Sequence, residues 1–314
     1  MMNSRKMFWL LPILVFSASV LFTAYRSDKA DENIVKPLTP QKDEMFQKVT
    51  PPPVPRQVFF AGEEVPLNRF DVFERFDREL IVNCYFHSQT LRLLKMAPRY
   101  FNIIEPILKS YNIPDDFKYL AVAESGLDPR ALSPAGAAGI WQLMKGTARD
   151  YGLEVNDEVD ERYHIEKASV AACKYLLESY IKYGDWTTVA ASYNAGRNGI
   201  DRQVERQKET HYFDLLLTEE TNRYVFRILV LKTILESPVE YGFQVDKKDR
   251  YPELKCKTIE VNTSIADFAD FAKLHGVNYK ILKDMNPWLR DTKLTVSGAK
   301  VYEIKILNEK YLER

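Results

Sequence analysis

The sequence is poor in cysteine and histidine. Its 314 residues include three cysteines, Cys84, Cys173 and Cys256, and four histidines, and neither type clusters at the spacing of a metal site. We therefore expect neither a metal site nor a cofactor. An odd number of widely separated cysteines also argues against a disulfide framework, and it favours free thiols that are buried in the protein.

An excess of either charge is also missing. Lysine plus arginine and aspartate plus glutamate each number 44, so the formal net charge is zero. A protein without a basic balance has no electrostatic reason to bind nucleic acid, and we expect no such partner. The hydrophobic share of 46% is enough for a sizeable core, and the length suits about two domains.

The N-terminus carries a long apolar run that contains no charge. This run covers residues 7–25 and follows two basic residues, Arg5 and Lys6, which together are typical of an export signal. Its length lies between that of a signal peptide and that of a membrane span, so residues 1–25 could be either a cleaved signal or a retained anchor. Residues 26–56 contain many prolines and charges, and they are predicted to be a linker.

The remaining chain divides into two regions with different periodicity. From 57 to 245, apolar residues recur at three- and four-residue spacing, which predicts an all-α domain. Its predicted helical segments cover 71–97, 99–110, 114–125, 166–183, 186–193 and 219–236. From 251 to 308, alternating segments at 258–261 and 300–304 flank two helical segments at 264–274 and 279–285. The predicted fold class is therefore mainly α, with a small β-α-α-β module at the C-terminal end.

One predicted helix places a carboxyl group on an apolar face. A proline and two aspartates begin this helix at residue 114, and Gly126 is a typical end. Glu124 lies seven residues after Phe117 and shares its face with Leu120 and Ala121. Apolar surroundings and the negative end of a helix dipole both raise the pKa of a carboxyl group. Such a group can donate a proton near neutral pH, as cleavage of a glycosidic bond requires.

The spacing around Glu124 leaves a structural role open as well. A glutamate at the end of a helix could instead reach solvent or pair with a cation such as Arg130. Asp128 could serve as a second carboxylate, but Gly126 and Pro129 on either side favour a role in capping or turning the backbone. Asp160 and Arg162 are interpreted as a cap or an ion pair.

Small residues follow this helix. The segment from Ser133 to Gly139 would let a bulky ligand approach the backbone. Trp141, Gln142 and Met144 could then pack on sugar rings and bond their substituents, although a tight loop leading into the core would look similar.

Four short motifs occur in order between residues 124 and 225. They are Glu124-Ser125 with the segment 131–148, Ala172-x-x-Tyr175-Leu176, Tyr193-Asn194-Ala195-Gly196 and Tyr224-Val225. Together they resemble the soluble lytic transglycosylase type, which is glycoside hydrolase family 23. Residues 60–125 are further similar to the membrane-bound lytic murein transglycosylase D group. The C-terminal module is similar to a LysM module, but Asn262-Thr263-Ser264-Ile265 stands where Gly-Asp-Thr-Leu is usual. Both glycan binding and a structural cap on the catalytic domain therefore remain open for this module.

The resemblance implies a lysozyme-like catalytic domain over 57–245 and a substrate, the glycan strands of peptidoglycan. Family members cut between N-acetylmuramic acid and N-acetylglucosamine without water and leave 1,6-anhydro ends. By the same resemblance, Glu124 is the sole acid and base. The residues expected at the substrate are Ser133, Gln142, Met144, Tyr193, Asn194 and, with a core aromatic as the competing role, Tyr224.

The resemblance also bears on location and on rival functions. We expect an exported protein of the periplasm or cell envelope, a monomer, in contact with the membrane if residues 1–25 are retained. One rival is a goose-type lysozyme-like hydrolase, which uses water as the nucleophile. The other is a non-catalytic protein that binds peptidoglycan.

Overall fold

The computed structural model describes residues 49–311, of which residues 50–311 belong to one compact unit. The expected export signal or anchor at 1–25, and most of the expected linker at 26–56, lie outside the described residues. Within the described part of the chain, no helix combines the length and the apolar character needed to cross a membrane.

The first part of the described chain is helical. A short antiparallel hairpin, β1 (Phe59–Phe60) and β2 (Glu63–Glu64), precedes the helices. The helices are α1 (Phe70–Tyr85), α2 (His87–Ser110), α3 (Lys118–Ser125), α4 (Lys145–Asp150), α5 (Ile165–Tyr183), α6 (Trp186–Ala195), α7 (Arg197–Gln207) and α8 (Glu219–Glu236). A 3-10 turn at Asp115–Phe117 leads into α3.

These bounds confirm most of the predicted helices, but two predicted segments are divided or joined differently. The segment predicted at 71–97 is divided by Phe86, which ends α1 and precedes α2. The segment predicted at 99–110 is the second half of α2, which continues through Pro98 and Pro106. The hairpin, α4 and α7 were not predicted.

The buried helix α8 organises this part of the chain. It packs against α1, α3 and α6, and it is buried on most of its surface. A single hydrophobic core joins these helices to α2 and α5. Because α3, α6 and α8 meet in this core, residues distant in sequence are brought to the C-terminal end of α3.

The C-terminal module has the predicted β-α-α-β order. It consists of β3 (Cys256–Val261), α9 (Phe268–Leu274), α10 (Tyr279–Met285) and β4 (Tyr302–Leu307). The two strands are antiparallel, with Cys256 opposite Leu307 and Val261 opposite Tyr302. The mainly helical fold class is thus confirmed. The three thiols are free, with Cys84 and Cys173 buried and Cys256 half-buried.

Candidate active site

Glu124 lies in the last turn of α3, on the face that the sequence predicts. Phe117, Leu120 and Ala121 on that face are fully buried, whereas Glu124 retains partial exposure to solvent. Gly126 ends the helix with a left-handed backbone, at φ 61°, and donates its N–H to the carbonyl of Val122. A glycine suits this position because it adopts positive φ at little cost.

The proton affinity of Glu124 is shifted upward. Burial raises the pKa of its carboxyl group to about 7, although a hydrogen bond from Tyr224 and the positive charge of Arg227 act in the opposite direction. The Tyr224 hydroxyl donates to Glu124 Oε1 over 2.5 Å. Arg130, the sequence-based candidate for an ion pair with Glu124, bonds Asp284 instead, with 2.7 Å between Nη1 and Oδ1.

The end of α6 contributes Tyr193 and Asn194. The hydroxyl of Tyr193 donates to the carbonyl of Trp141 over 2.8 Å. Burial and then the charge of Glu124 hold the pKa of Tyr193 well above its usual value, so this phenol stays protonated near Glu124. Asn194 Oδ1 accepts a hydrogen bond of 2.9 Å from the hydroxyl of Thr221 on α8. Residues from α3, α6 and α8 therefore meet around one carboxyl group.

The small-residue segment forms a tight loop next to α3. Ser133 Oγ accepts a hydrogen bond from Ala137 N over 3.0 Å. Gln142 adopts a positive φ of 47°, and its Nε2 donates to the carbonyls of Gly139, over 2.8 Å, and Ala131, over 3.2 Å. Both side chains therefore hold the loop in shape.

Two other residues of the loop segment differ in exposure. Met144, at the start of α4, is 47% exposed, so its thioether is open to a ligand. The expectation that Trp141 packs on sugar is corrected, because its ring is fully buried and its Nε1 donates to Ser169 Oγ over 2.7 Å. For Trp141 the alternative of a loop leading into the core is right.

The structure adds contacts of residues to which the sequence analysis assigned no role. Ser125 Oγ donates to the carbonyl of Ile140 over 2.9 Å and so ties the end of α3 to the loop. Arg227 lies three residues after Tyr224, one turn along α8, and helical spacing could have placed both beside Glu124. Thr221 carries no comparable signal, because its contact with Asn194 depends on how α6 and α8 pack.

Two structural interpretations are confirmed. Asp128 Oδ1 accepts a hydrogen bond from Arg130 N over 2.9 Å, as expected of a residue that turns the backbone. Asp160 and Arg162 form a buried ion pair, with 2.7 Å between Oδ2 and Nη2. Among residues 49–311, no group of three or more histidine, cysteine or acidic side chains is arranged to hold a metal ion.

Comparison with known proteins matches most of this chain to curated relatives, and two of its segments match family models. It is 30% identical to membrane-bound lytic murein transglycosylase D of Escherichia coli K12 over 247 residues, which are 76% of this chain and 53% of that relative. It is 35% identical to membrane-bound lytic murein transglycosylase F 2 of Alkalilimnicola ehrlichii over 125 residues, 37% of this chain and 26% of the relative. The chain thus spans about half the length of the first relative and about a quarter of the length of the second.

Among solved structures, the chain is similar to the 70 kDa soluble lytic transglycosylase of Escherichia coli. The TM-score is 0.39 with 21% identity, and the match covers 45% of this chain and 24% of that one. Family models match residues 101–215, as a transglycosylase SLT domain, and residues 257–310, as a soluble lytic transglycosylase C-terminal LysM-like domain. The resemblance seen in the sequence is thereby confirmed. Residues 101–215 of this chain are a member of the transglycosylase SLT domain family, and residues 257–310 belong to the C-terminal LysM-like domain family.

Proposed function

We propose that this protein is a lytic transglycosylase that cleaves the β-1,4 bond between N-acetylmuramic acid and N-acetylglucosamine in peptidoglycan. The observation that carries the proposal is Glu124, which lies in the SLT segment and accepts a hydrogen bond from Tyr224. Burial raises the pKa of its carboxyl group to about 7. The name of the Escherichia coli relative, a lytic murein transglycosylase, supports the same reaction and substrate.

In the first step, protonated Glu124 acts as the acid. Its proton moves to the bridging oxygen, the bond between that oxygen and C1 of N-acetylmuramic acid breaks, and N-acetylglucosamine leaves with a free hydroxyl. The acetamido group of the same muramic acid residue stabilises the cationic C1. The hydroxyl of Tyr224 and the charge of Arg227 stabilise the Glu124 carboxylate that this step creates.

In the second step, the Glu124 carboxylate acts as the base. It takes the proton of the C6 hydroxyl while O6 bonds to C1, which closes the 1,6-anhydro ring and returns Glu124 to its protonated form. No water is consumed, and one carboxyl group serves both steps because it alternates between acid and base. Asp128 takes no part in this scheme, since its carboxylate is engaged in a turn with Arg130 N.

The other expected residues would bind the glycan strand. Met144 offers an exposed thioether, and Asn194 offers its amide nitrogen while its oxygen bonds Thr221. Gln142 would contact the substrate through Oε1, because its Nε2 is already shared by two loop carbonyls. Ser133 would orient the acetamido group from its place on the loop, and Tyr193 would line the site beside Glu124.

We also propose that the protein works in the cell envelope as a monomer. The basic flank and apolar run at 1–25 support export, and the relatives named as membrane-bound support a place near the membrane. Fractionation of cells that express the full chain, with and without residues 1–25, tests this location.

Analysis of the digestion products tests the proposed reaction. Purified peptidoglycan is incubated with the full chain and the fragments are identified by mass spectrometry; we expect 1,6-anhydro ends. Glu124→Gln should lose about 10²–10⁴-fold in rate, which is the usual share of a general acid. Asp128→Asn is the matched control and should keep its activity.

Three outcomes would contradict this function. Products with reducing ends would identify a hydrolase, as in the goose-type alternative. Activity that persists in Glu124→Gln would mean that another residue is the acid. An unmutated protein that binds several peptidoglycans but cuts none would favour the non-catalytic alternative.

A further inference from the structure

The loop at 131–143 is bonded to two residues near Glu124. Ser125 Oγ, adjacent to the acid, donates to the carbonyl of Ile140 over 2.9 Å, and the Tyr193 hydroxyl donates to the next carbonyl, that of Trp141, over 2.8 Å. Ala138 and Leu143 exchange backbone hydrogen bonds of 3.1 Å across the loop. A displacement of this loop would therefore move the surroundings of the acid.

The side chain of Arg162 also holds the loop. Its Nη1 donates to the carbonyls of Gly136, over 2.7 Å, and Leu143, over 3.1 Å, which flank the turn. Arg162 is buried, with 7% of its surface exposed. The carboxylate of Asp160 accepts hydrogen bonds from its Nε, over 2.9 Å, and from its Nη2, over 2.7 Å. The guanidinium group thus fixes two loop carbonyls while one carboxylate neutralises its charge.

The backbone of Arg162 is also in close contact with the loop. A Cβ added at Gly139 would lie 1.8 Å from the Arg162 carbonyl oxygen, far closer than any atom can approach. The loop and residues 160–162 are therefore packed with no room for a side chain between them.

The C-terminal module is bonded to residues 158–163. The N–H of Asp160 donates to the carbonyl of Trp288 over 2.9 Å, and that of Arg290 donates to the carbonyl of Glu158 over 2.8 Å. The guanidinium group of Arg290 lies 4.2 Å from the ring centre of Tyr163.

A shared core reinforces this seam between the module and residues 158–163. The hydrophobic core of the module includes Ala138 from the loop, together with Val159 and Tyr163. Hydrogen bonds thus connect the module to the loop in an unbroken series: Trp288 to Asp160, Asp160 to Arg162, and Arg162 to Gly136 and Leu143.

We propose that Arg162 is a positioning residue for the cleavage reaction and that the C-terminal module braces it. Arg162 holds the loop in the position in which the loop residues can contact the glycan strand beside Glu124. The module in turn holds Asp160 and Arg162 in place. This inference rests on the proposed function for its effect on rate, while its effect on the loop is independent of that function.

The full chain carrying Arg162→Gln tests the proposal. On soluble glycan strands kcat should fall about 10–100-fold, since a shift of about 1 Å in a site can cost that much, whereas KM changes far less. The pH of half-maximal rate should not move, because Tyr224 and Arg227, which act on the pKa of Glu124, lie on α8 and not in the loop. Hydrogen exchange at the N–H groups of Ala138, Gly139 and Leu143, all bonded within the loop, should become faster.

Matched variants separate this role from general damage. Arg130→Gln removes an exposed ion pair between the helical part and Asp284 of the module but touches no loop carbonyl, so it should leave rate and loop exchange unchanged. Arg162→Lys, which keeps the charge but not the fork of donors, should recover part of kcat. Leu289→Ala, which loosens the module against Val159, should speed exchange at the same three amides.

A second pair of variants covers the case in which Arg162→Gln does not fold. Gly139→Ala and Gly136→Ala share the strain of a positive φ, 78° and 86°, but only the first meets Arg162, since the second has open space around its Cβ. Gly139→Ala should lose kcat and Gly136→Ala should lose much less. Equal kcat values for Gly139→Ala and Gly136→Ala would overturn the proposal. So would an Arg162→Gln protein whose kcat and loop exchange both equal those of the parent. If the parent protein is inactive but loop exchange is faster in Arg162→Gln, the proposed function is refuted, whereas the support of the loop by Arg162 still holds.

Discussion

At the scale of single residues, the pKa of Glu124 is determined by opposing interactions. Burial favours the neutral acid, while the Tyr224 hydroxyl and the Arg227 charge favour the carboxylate. The resulting pKa of about 7 lets the same group donate a proton and then accept one near neutral pH. Tyr224 contributes to this balance directly, because it is the hydrogen-bond donor to Oε1.

Replacement of this donor should shift the pH dependence in a defined direction. Tyr224→Phe removes a hydrogen bond that stabilises the carboxylate, so the pKa of Glu124 should rise above about 7 and the decline in kcat/KM should begin at higher pH. The rate itself should fall about 10-fold or more, since a hydrogen bond to a charged group contributes about 1.5–3 kcal/mol. A profile of kcat/KM from about pH 5 to pH 9 measures both effects.

Tyr212→Phe is the matched control for this prediction. Tyr212 is as deeply buried as Tyr224, and its hydroxyl donates to the carbonyl of Asn222 over 2.6 Å, away from Glu124. Its loss should leave the pH profile in place. A decline that moves to lower pH in Tyr224→Phe would show that the sign of this contact has been misjudged.

Residue spacing predicts some of this site, and packing supplies the rest. The position of Glu124 on an apolar face follows from Phe117 and Leu120, and the end of its helix follows from Gly126. The contact with Tyr224 joins residues a hundred positions apart, so no local pattern can reveal it. The order of the motifs named Tyr224 as a candidate, but its hydrogen bond to Glu124 appears only once α3 and α8 are packed together.

At the scale of elements, the strongest sequence signals correspond to helices with marked ends. Helix α5 begins and ends within a residue of its predicted bounds, where Gly184 adopts a left-handed backbone. Helix α7 gave no usable signal, because it is polar and Ile200 alone among its residues is buried. The hairpin of β1 and β2 is equally hard to predict, since each strand has two residues and Ala61, at its turn, has a positive φ.

This hairpin also places a carboxyl group at the start of α6. Glu63 accepts hydrogen bonds from Trp186 N over 2.8 Å and Thr187 N over 3.2 Å. Burial and a hydrogen bond with Asp185 raise the pKa of Glu63 to about 7. Burial acts in the same sense on Asp185, but hydrogen bonds from Glu63 and Thr188 outweigh it, and the pKa of Asp185 is lowered. The two groups therefore share a proton below neutral pH.

Thermal stability should report this shared proton. Because the folded state raises the pKa of Glu63, its contribution is complete below its ordinary value of 4.5 and is lost as pH rises through about 7. Glu63→Gln supplies a donor to Asp185 at every pH, so Tm should fall less between about pH 5 and pH 8 than in the parent. Glu64→Gln, on the exposed neighbour, should keep the parental slope. Identical slopes in all three proteins would contradict the shared proton.

At the scale of the whole molecule, the LysM-like module and the helical part are joined by more than a linker. Ala138, Val159 and Tyr163 of the helical part lie in the same buried cluster as Trp288, Leu289 and Tyr302 of the module. Tyr302 also donates to Glu154 Oε2 over 3.0 Å. We therefore expect the two parts to unfold together.

A core substitution in the module tests this coupling. Leu289, which is 1% exposed, pairs with Val159 across the seam. Leu289→Ala should lower the free energy of unfolding by about 2–5 kcal/mol and move a single transition for both parts. Calorimetry and hydrogen exchange in α5 and β4 follow the two parts separately. Leu274→Ala, at a side chain 79% exposed in the same module, should change stability by about 0.5 kcal/mol or less. Two separate transitions would contradict the coupling.

The seam includes hydrogen bonds between main-chain atoms, from Asp160 N to the Trp288 carbonyl and from Arg290 N to the Glu158 carbonyl. Such bonds do not depend on which side chains the residues carry, so mutation can alter the module's surface while its attachment survives. Sequence divergence on the exposed faces of the module is therefore compatible with an unchanged position of the module beside residues 158–163.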